Sequence, residues 1–410
     1  MATIASLMNK LSSFVGLGRS VLAIITFGAF AGLACGAIPI GNSNVQIGGF
    51  FSQGYIASDG NNYPFEDNDG TLDFREMGVN ASTTVGAHLR VGGQLFAQRL
   101  GNYGDDKVKL DWAVADYNFR QEFGIRVGRV KYPKGLYGEA LDLDAIRPFI
   151  FLPMSLYNPV VRDFNSAFNG GMIYGSVNAA KVGSFDYKVF YGKIPMGPNQ
   201  GVADFFNTTS LFASPGVNYL HMDYSAGGQI QWNTPVDGLK AVVSYSYLDN
   251  LDARGKFAAY PVADVTLHTD NYKYTTLSLE YMRDNWTLAA EWQQVEGDFN
   301  IVTPFGPQAS KSKVDNWYVS VARRLNDKFE VGTYFDTQKN ETPTAGSPSS
   351  ANHNYDWALS LKYDLNEHVV IKIEGHTIDG TYNLFNTSRT PNPTFDTRTN
   401  YFAVKTTFSF

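Results

Sequence analysis

The chain ends in "YFAVKTTFSF", Tyr401 to Phe410. Phe402, Val404, Thr406, Phe408 and Phe410 fall on one face, and the last residue is a bare phenylalanine. Chain ends are ordinarily frayed and solvated. Alternation with a period of two marks a strand with one apolar face, and here it runs to the final residue with no polar tail. The terminus reads as a strand buried on one side to its end.

Working back from there, the pattern repeats. About sixteen segments of roughly 10–14 residues alternate in the same way, close to the ~9–11 residues a tilted strand needs to cross a bilayer. In "HLRVGGQLFAQ" (His88 to Gln98), Leu89, Val91, Leu95 and Ala97 oppose His88, Arg90, Gln94 and Gln98. In "KVKLDWAV", Val108, Leu110, Trp112 and Val114 oppose Lys109 and Asp111. In "HVVIKIEGH", Val369, Ile371 and Ile373 oppose Lys372, Glu374 and His376. Strand starts are expected near Asn44, Leu72, Ala87, Lys107, Gln121, Ala167, Ser184, Leu220, Gly238, Asn271, Asn285, Lys313, Lys328, Asn352, Glu367 and Arg398.

Connections alternate between short turns ("NFRQE", "NTPVDG", "RLNDK", "LNEH") and long Gly/Pro-rich polar loops. Short turns at one end and long loops at the other is how membrane barrels are built. Proline cannot donate to a ladder, and all 17 prolines are expected outside the strands. Trp112, Trp232, Trp286 and Trp317 sit near segment ends on the apolar faces, where interfacial girdles lie. The expectation is an all-β, transmembrane, antiparallel up-and-down β-barrel of about sixteen strands, both termini at the short-turn end. A soluble two-domain sandwich also alternates, but no linker divides the chain.

The N-terminal segment reads differently. Lys10 and Arg19 precede the apolar run "SVLAIITFGAFAGLA" (Ser20 to Ala34), and small residues follow in "CGA" (Cys35 to Ala37). This is the pattern of a cleaved signal peptide over residues 1–37, with the barrel domain over 38–410. Cys35 is the only cysteine; a lipid-acceptor role would want leucine where Gly32 stands. A net charge of −6 and pI near 5.6 argue against nucleic acid as a partner.

With signal peptide, amphipathic strands and a terminal aromatic together, the chain resembles a Gram-negative outer-membrane porin of the sixteen-stranded, usually trimeric kind. "FAVKTTFSF" is similar to the C-terminal assembly signal of such proteins, with Phe402, Val404, Phe408 and Phe410 as its aromatic and aliphatic positions. The resemblance implies an outer-membrane location among lipid and lipopolysaccharide, recognition by the barrel-assembly machinery, a homotrimer, and passage of small hydrophilic solutes and ions without a cofactor. It also implies that the third long loop, 133–166, folds into the barrel.

That loop carries Ile146, Phe149, Ile150, Phe151, Leu152, Met154 and Leu156, too many apolar residues to leave in water. Its charges suggest a constriction in which Glu139, Asp142 and Asp144, with Arg147, face a basic wall of Arg90, Lys109 and Arg126 across water. Arg129 and Lys131 join that wall if Gly128 sits at a bulge. A substrate-selective channel for an anion, sugar or dicarboxylate shares the fold and differs only in lining. An outer-membrane barrel hydrolase would need an acid/His cluster near one barrel end, and the sequence places none. "FEDNDGTLDFRE" spaces Asp67, Asp69, Asp73 and Glu76 like a calcium loop, but Phe65 occupies the first ligand position and the flanks read as strand. No metal is expected.

Overall fold

The computed structural model describes residues 38–39, 43–65, 69–198, 201–207, 211–384 and 395–410. The expected signal peptide, with Cys35, lies outside these residues, as does Asp67.

Sixteen antiparallel strands close into a cylinder. They are β1 Gln46–Asp59, β2 Phe74–Val85, β3 Leu89–Leu100 and β4 Lys109–Arg120. Next come β5 Phe123–Lys131, β6 Ala167–Asn178, β7 Ser184–Lys193 and β8 Tyr224–Asn233. Then follow β9 Leu239–Asp249, β10 Tyr260–Arg283, β11 Trp286–Thr303 and β12 Gly306–Arg324. The last four are β13 Phe329–Asn340, β14 His353–Asp364, β15 Val369–Gly380 and β16 Arg398–Ser409. Each strand pairs with its sequence neighbours, and β16 returns to β1 in the register Phe408↔Phe51 and Tyr401↔Ser58. Phe410 completes that seam: its N–H donates to the Gly49 carbonyl and its own carbonyl accepts from Gly49, both at 3.0 Å. The bare terminus is therefore paired, and the cylinder has no free edge, as a sheet in lipid requires.

Alternation sorts the faces. Phe402 and Phe408 are exposed on the outer face beside Ile373, Leu359 and Leu361, while Tyr401, Ala403, Lys405 and Thr407 are buried inside. Trp232, Trp286 and Trp317 also point outward, but Trp112 does not: it is 5% exposed. The cause is a register shift where Gln94 pairs with Trp112 and Leu95 with Leu110. Asp111 is the extra residue, so Leu110 stays outside while Trp112 and Val114 turn in to join a cluster with Val130 and Tyr132. A bulge at Gly128 was the condition for Arg129 and Lys131 to join the inner wall. Gly128 has φ of 123°, yet the pairing of β5 runs unbroken through it on both sides.

The second departure is length. β10, β11 and β12 run 24, 18 and 19 residues, starting at Tyr260 and Gly306 rather than near Asn271 and Lys313. Their outward residues change from Leu277, Leu288 and Val319 to Lys273, Glu296, Asp298 and Lys311, so the added turns of ladder stand in water beyond the apolar belt. Two further rim segments, Leu251–Phe257 and Phe212–His221, extend this wall. Pro215, Pro261 and Pro307 thus lie inside strand segments of this rim, against expectation, and so does Pro39, in a two-residue strand Ile38–Pro39 that pairs with Ile47 and Gln46. In the rim an unmet carbonyl meets water and a missing N–H costs little.

Candidate functional site: a loop pinned inside the barrel

After Lys131 the chain turns into the lumen and leaves it at Ala167. Pro133, Pro148, Pro153 and Pro159 divide the segment, because proline blocks helix propagation. Only short turns survive: 3₁₀ pieces at Gly138–Ala140 and Asp144–Ile146, and single helical turns at Met154–Tyr157 and Arg162–Asn165. A backbone this irregular leaves many N–H and C=O groups unpaired, which must be met inside the barrel.

Wall side chains meet them. Glu374 on β15 accepts the N–H of Ile150 at 2.7 Å and of Phe151 at 3.1 Å. Glu291 on β11 accepts Leu136 N–H at 2.8 Å and the hydroxyls of Tyr157, Tyr318 and Ser278. Asp336 on β13 accepts Ser155 N–H at 3.1 Å and the Ser155 hydroxyl. Lys372 donates to the Phe149 carbonyl at 3.0 Å and to Asp144. The apolar side chains pack on the same wall. Ile150, Phe151 and Met154 join Phe65, Phe74 and Tyr401; Leu152 and Leu156 join Tyr318; Phe149 meets Tyr334. Ile146 is the exception, 60% exposed into the lumen.

The acidic residues and the wall bases meet in ion pairs rather than facing each other across open water. Glu139 pairs with Arg126 at 3.5 Å and with Lys188. Asp142 pairs with Lys131 at 2.5 Å and lies 3.8 Å from Arg162. Asp144 crosses the lumen to Lys372 at 3.0 Å and Lys405 at 3.6 Å, with Arg147 beside it at 3.2 Å. Arg126 is 2% exposed, held by Asp116 at 2.9 Å. Lys109 pairs with Asp163, and Arg129 donates to the Asp111 carbonyl. Arg90 is half-buried and donates to Ser82.

Burial raises the pKa of each loop carboxylate, but its cations outweigh that. Lys188 and Arg126 pull Glu139 below the usual range, Lys131 and Arg162 do so for Asp142, and Lys372 and Lys405 for Asp144. Lys134 behaves oppositely. Its ammonium donates to the Leu156 carbonyl and to Asn165, and burial lowers its pKa to about 8 against the pull of Glu291.

Above the loop, in the outer half of the lumen, lies a cavity of about 310 Å³ bounded by Phe164, Tyr272, Phe299, Asn316, Asp336 and Asn383, among others. Of the four carboxylates spaced like a calcium loop, three lie among the described residues. Asp73 is held by Arg75 and Arg99, and Glu76 by Lys405, while Asp69 is a surface-loop residue. Among the described residues no cluster of metal-ligating side chains forms.

Alternation placed Lys372, Glu374 and His376 on the inner wall, but nothing in the sequence named their partners. Glu291, Asp336, Lys188 and Lys405 complete the wall that holds the loop, and none of them stands among the expected site residues. Their signal was a charged residue at an inward parity in an otherwise apolar strand. Asp356 and Glu374 hold both nitrogens of His376, at 2.9 Å each. An imidazole engaged at both nitrogens has no free lone pair with which to act as a base.

No family model matches the chain, and no curated protein sequence does. Solved structures do. The outer-membrane protein OmpT of Vibrio cholerae aligns over 90% of this chain and 99% of its own, at 13% identity and a TM-score of 0.52. An anion-selective porin from Comamonas acidovorans aligns over 89% and 99%, at 12% identity and 0.53. OmpF of Salmonella typhi, solved with daunomycin, aligns over 91% and 100%, at 13% identity and 0.56. The fold is the porin fold. At such identities the likeness is one of architecture, the sixteen-stranded porin barrel. OmpT has also been solved in a trimer form.

Proposed function

We propose that this porin-fold chain is an outer-membrane channel for passive diffusion of small hydrophilic solutes and ions. The observation that carries the reading is the segment 132–166, tied to the inner wall of a closed cylinder beneath a cavity in its outer half. A soluble barrel would fill its lumen with side chains; here a loop narrows the lumen and charged residues border it. The oily outer face and aromatic girdle support a place in the outer membrane among lipid and lipopolysaccharide. Residues 1–37 would then be a cleaved export signal, and Phe402, Val404, Phe408 and Phe410 the mark read by the assembly machinery. A trimer follows the same likeness.

Glu139, Asp142, Asp144 and Arg147 on the loop, with Arg90, Lys109, Arg126, Arg129 and Lys131 on the wall, act in this reading as the frame of the constriction. Paired charges hold the loop's shape, and their fringe field acts on passing ions. Planar-bilayer recording of the refolded protein in a salt gradient tests the reading. Unitary steps with an ohmic current are expected; a correctly folded barrel that passes no current refutes it. The hydrolase reading finds no support in His376.

A further inference from the structure

The outer cavity differs in chemistry from the ion-paired loop beneath it. One side is aromatic: Tyr272 of β10 and Phe299 of β11, with Phe164 standing edge-on to Tyr272 at 6.1 Å. Phe205 and Phe206, from a helical stretch Gly201–Asn207 in the loop after β7, close over it. The rest of the lining is rich in amides, among them Gln293, Asn316, Gln338 and Asn383.

The three charged groups at the cavity, Lys134, Asp336 and Asp356, each hydrogen-bond within the protein. Lys134 donates to Leu156 and Asn165, Asp336 accepts from Ser155, and Asp356 holds His376. An ion resting here would shed water against aromatic rings, which is costly. Asn316 points the other way. It is 1% exposed, its N–H side reaches Gln293 at 3.5 Å, and its Oδ1 has no partner among the described residues. A buried acceptor left open calls for a donor from whatever occupies the cavity. The volume, about 310 Å³, falls at the lower end of the ~300–1,000 Å³ range of small-molecule sites.

Ring faces and neutral amides around an open acceptor suit a solute with apolar C–H faces and hydroxyl edges. We propose that the outer vestibule binds uncharged, ring-shaped polyhydroxylated solutes, saccharides of one or two units, against the aromatic wall, with a hydroxyl donating to Asn316. This deepens the channel reading and rests on it for its biological meaning. Binding itself is measured separately from conduction. A sugar held here, in the mouth of the path, would partly block the ion current as it passes.

The test pairs titration calorimetry of the detergent-refolded protein with planar-bilayer recording. The probes are maltose, sorbitol as an acyclic polyol, glucosamine as a cation and glucuronate as an anion. Saturable maltose binding with matching current block is expected, with the other three at least about tenfold weaker. Replacing Tyr272 and Phe299 by alanine should weaken maltose about tenfold. N316L, which keeps the side chain's size, should weaken it by severalfold. Conduction with no saturable maltose binding, or binding of glucosamine or sorbitol as tight as that of maltose, overturns the site alone. Maltose binding by a barrel that passes no current overturns the channel reading and leaves the site standing.

Discussion

Glu374→Ala removes the acceptor that holds the loop's centre. The side chain is 1% exposed and takes two backbone N–H groups, from Ile150 at 2.7 Å and Phe151 at 3.1 Å, plus His376 at 2.9 Å. Each buried donor left without an acceptor costs ~1–3 kcal/mol, so two of them weaken docking of the loop's centre by ~2–6 kcal/mol. At 1.4 kcal/mol per tenfold, the undocked population rises by roughly thirtyfold to twenty-thousandfold. Phe149 to Leu152 would then swing away from the wall, and the lumen at that level would change width. The assay is single-channel recording: frequent excursions to a second conductance level are expected in E374A. E374Q, whose amide oxygen still accepts, should lie between the two. A folded E374A with wild-type conductance and noise would show that Glu374 does not hold the loop.

Three further outcomes follow. Lys134 has a folded-state pKa of about 8 against 10.5 when solvated, so between these values the unfolded chain keeps a proton that the folded chain releases. Stability toward denaturant should rise with pH through that window, by on the order of 3 kcal/mol, and selectivity should move toward cations; Lys134→Met should abolish both trends. Alanine at Arg90, Lys109 and Arg126 should shift the reversal potential toward cation selectivity. It should also cost ~3–5 kcal/mol of stability, because loss of Arg126 leaves the Asp116 carboxylate buried without its cation. Gly128→Val should impair refolding: at φ of 123° an added Cβ would sit 2.2 Å from the Ala113 carbonyl oxygen, so refolding yield at wild-type level would refute the need for glycine there.

Alternation is a local property, and it carried far. Strand starts at Ala167, Ser184 and Arg398 coincide with the observed ones, because an outward residue in lipid must be apolar whatever its neighbours are. The same rule failed at Trp112, where one extra residue at Asp111 reverses the parity; a bulge leaves no mark in hydrophobicity. It failed again at β10 and β12, whose rims stand in water on both faces and lose the signal.

The loop's fate divides in the same way. Its apolar residues announced that it would be packed, since burying Phe149 to Leu152 is favourable against any apolar wall. Its electrostatics were not legible. Asp144 meets Lys372 and Lys405 more than two hundred residues away, and only closure of the cylinder sets that distance. Sequence determined that this chain must be a cylinder, oily outside, with a long loop that has to be packed. Tertiary structure alone decided that the loop's charges are spent on holding it, and that the space left above is lined by aromatic rings and amides, because ion pairing and cavity shape depend on groups brought together across the lumen.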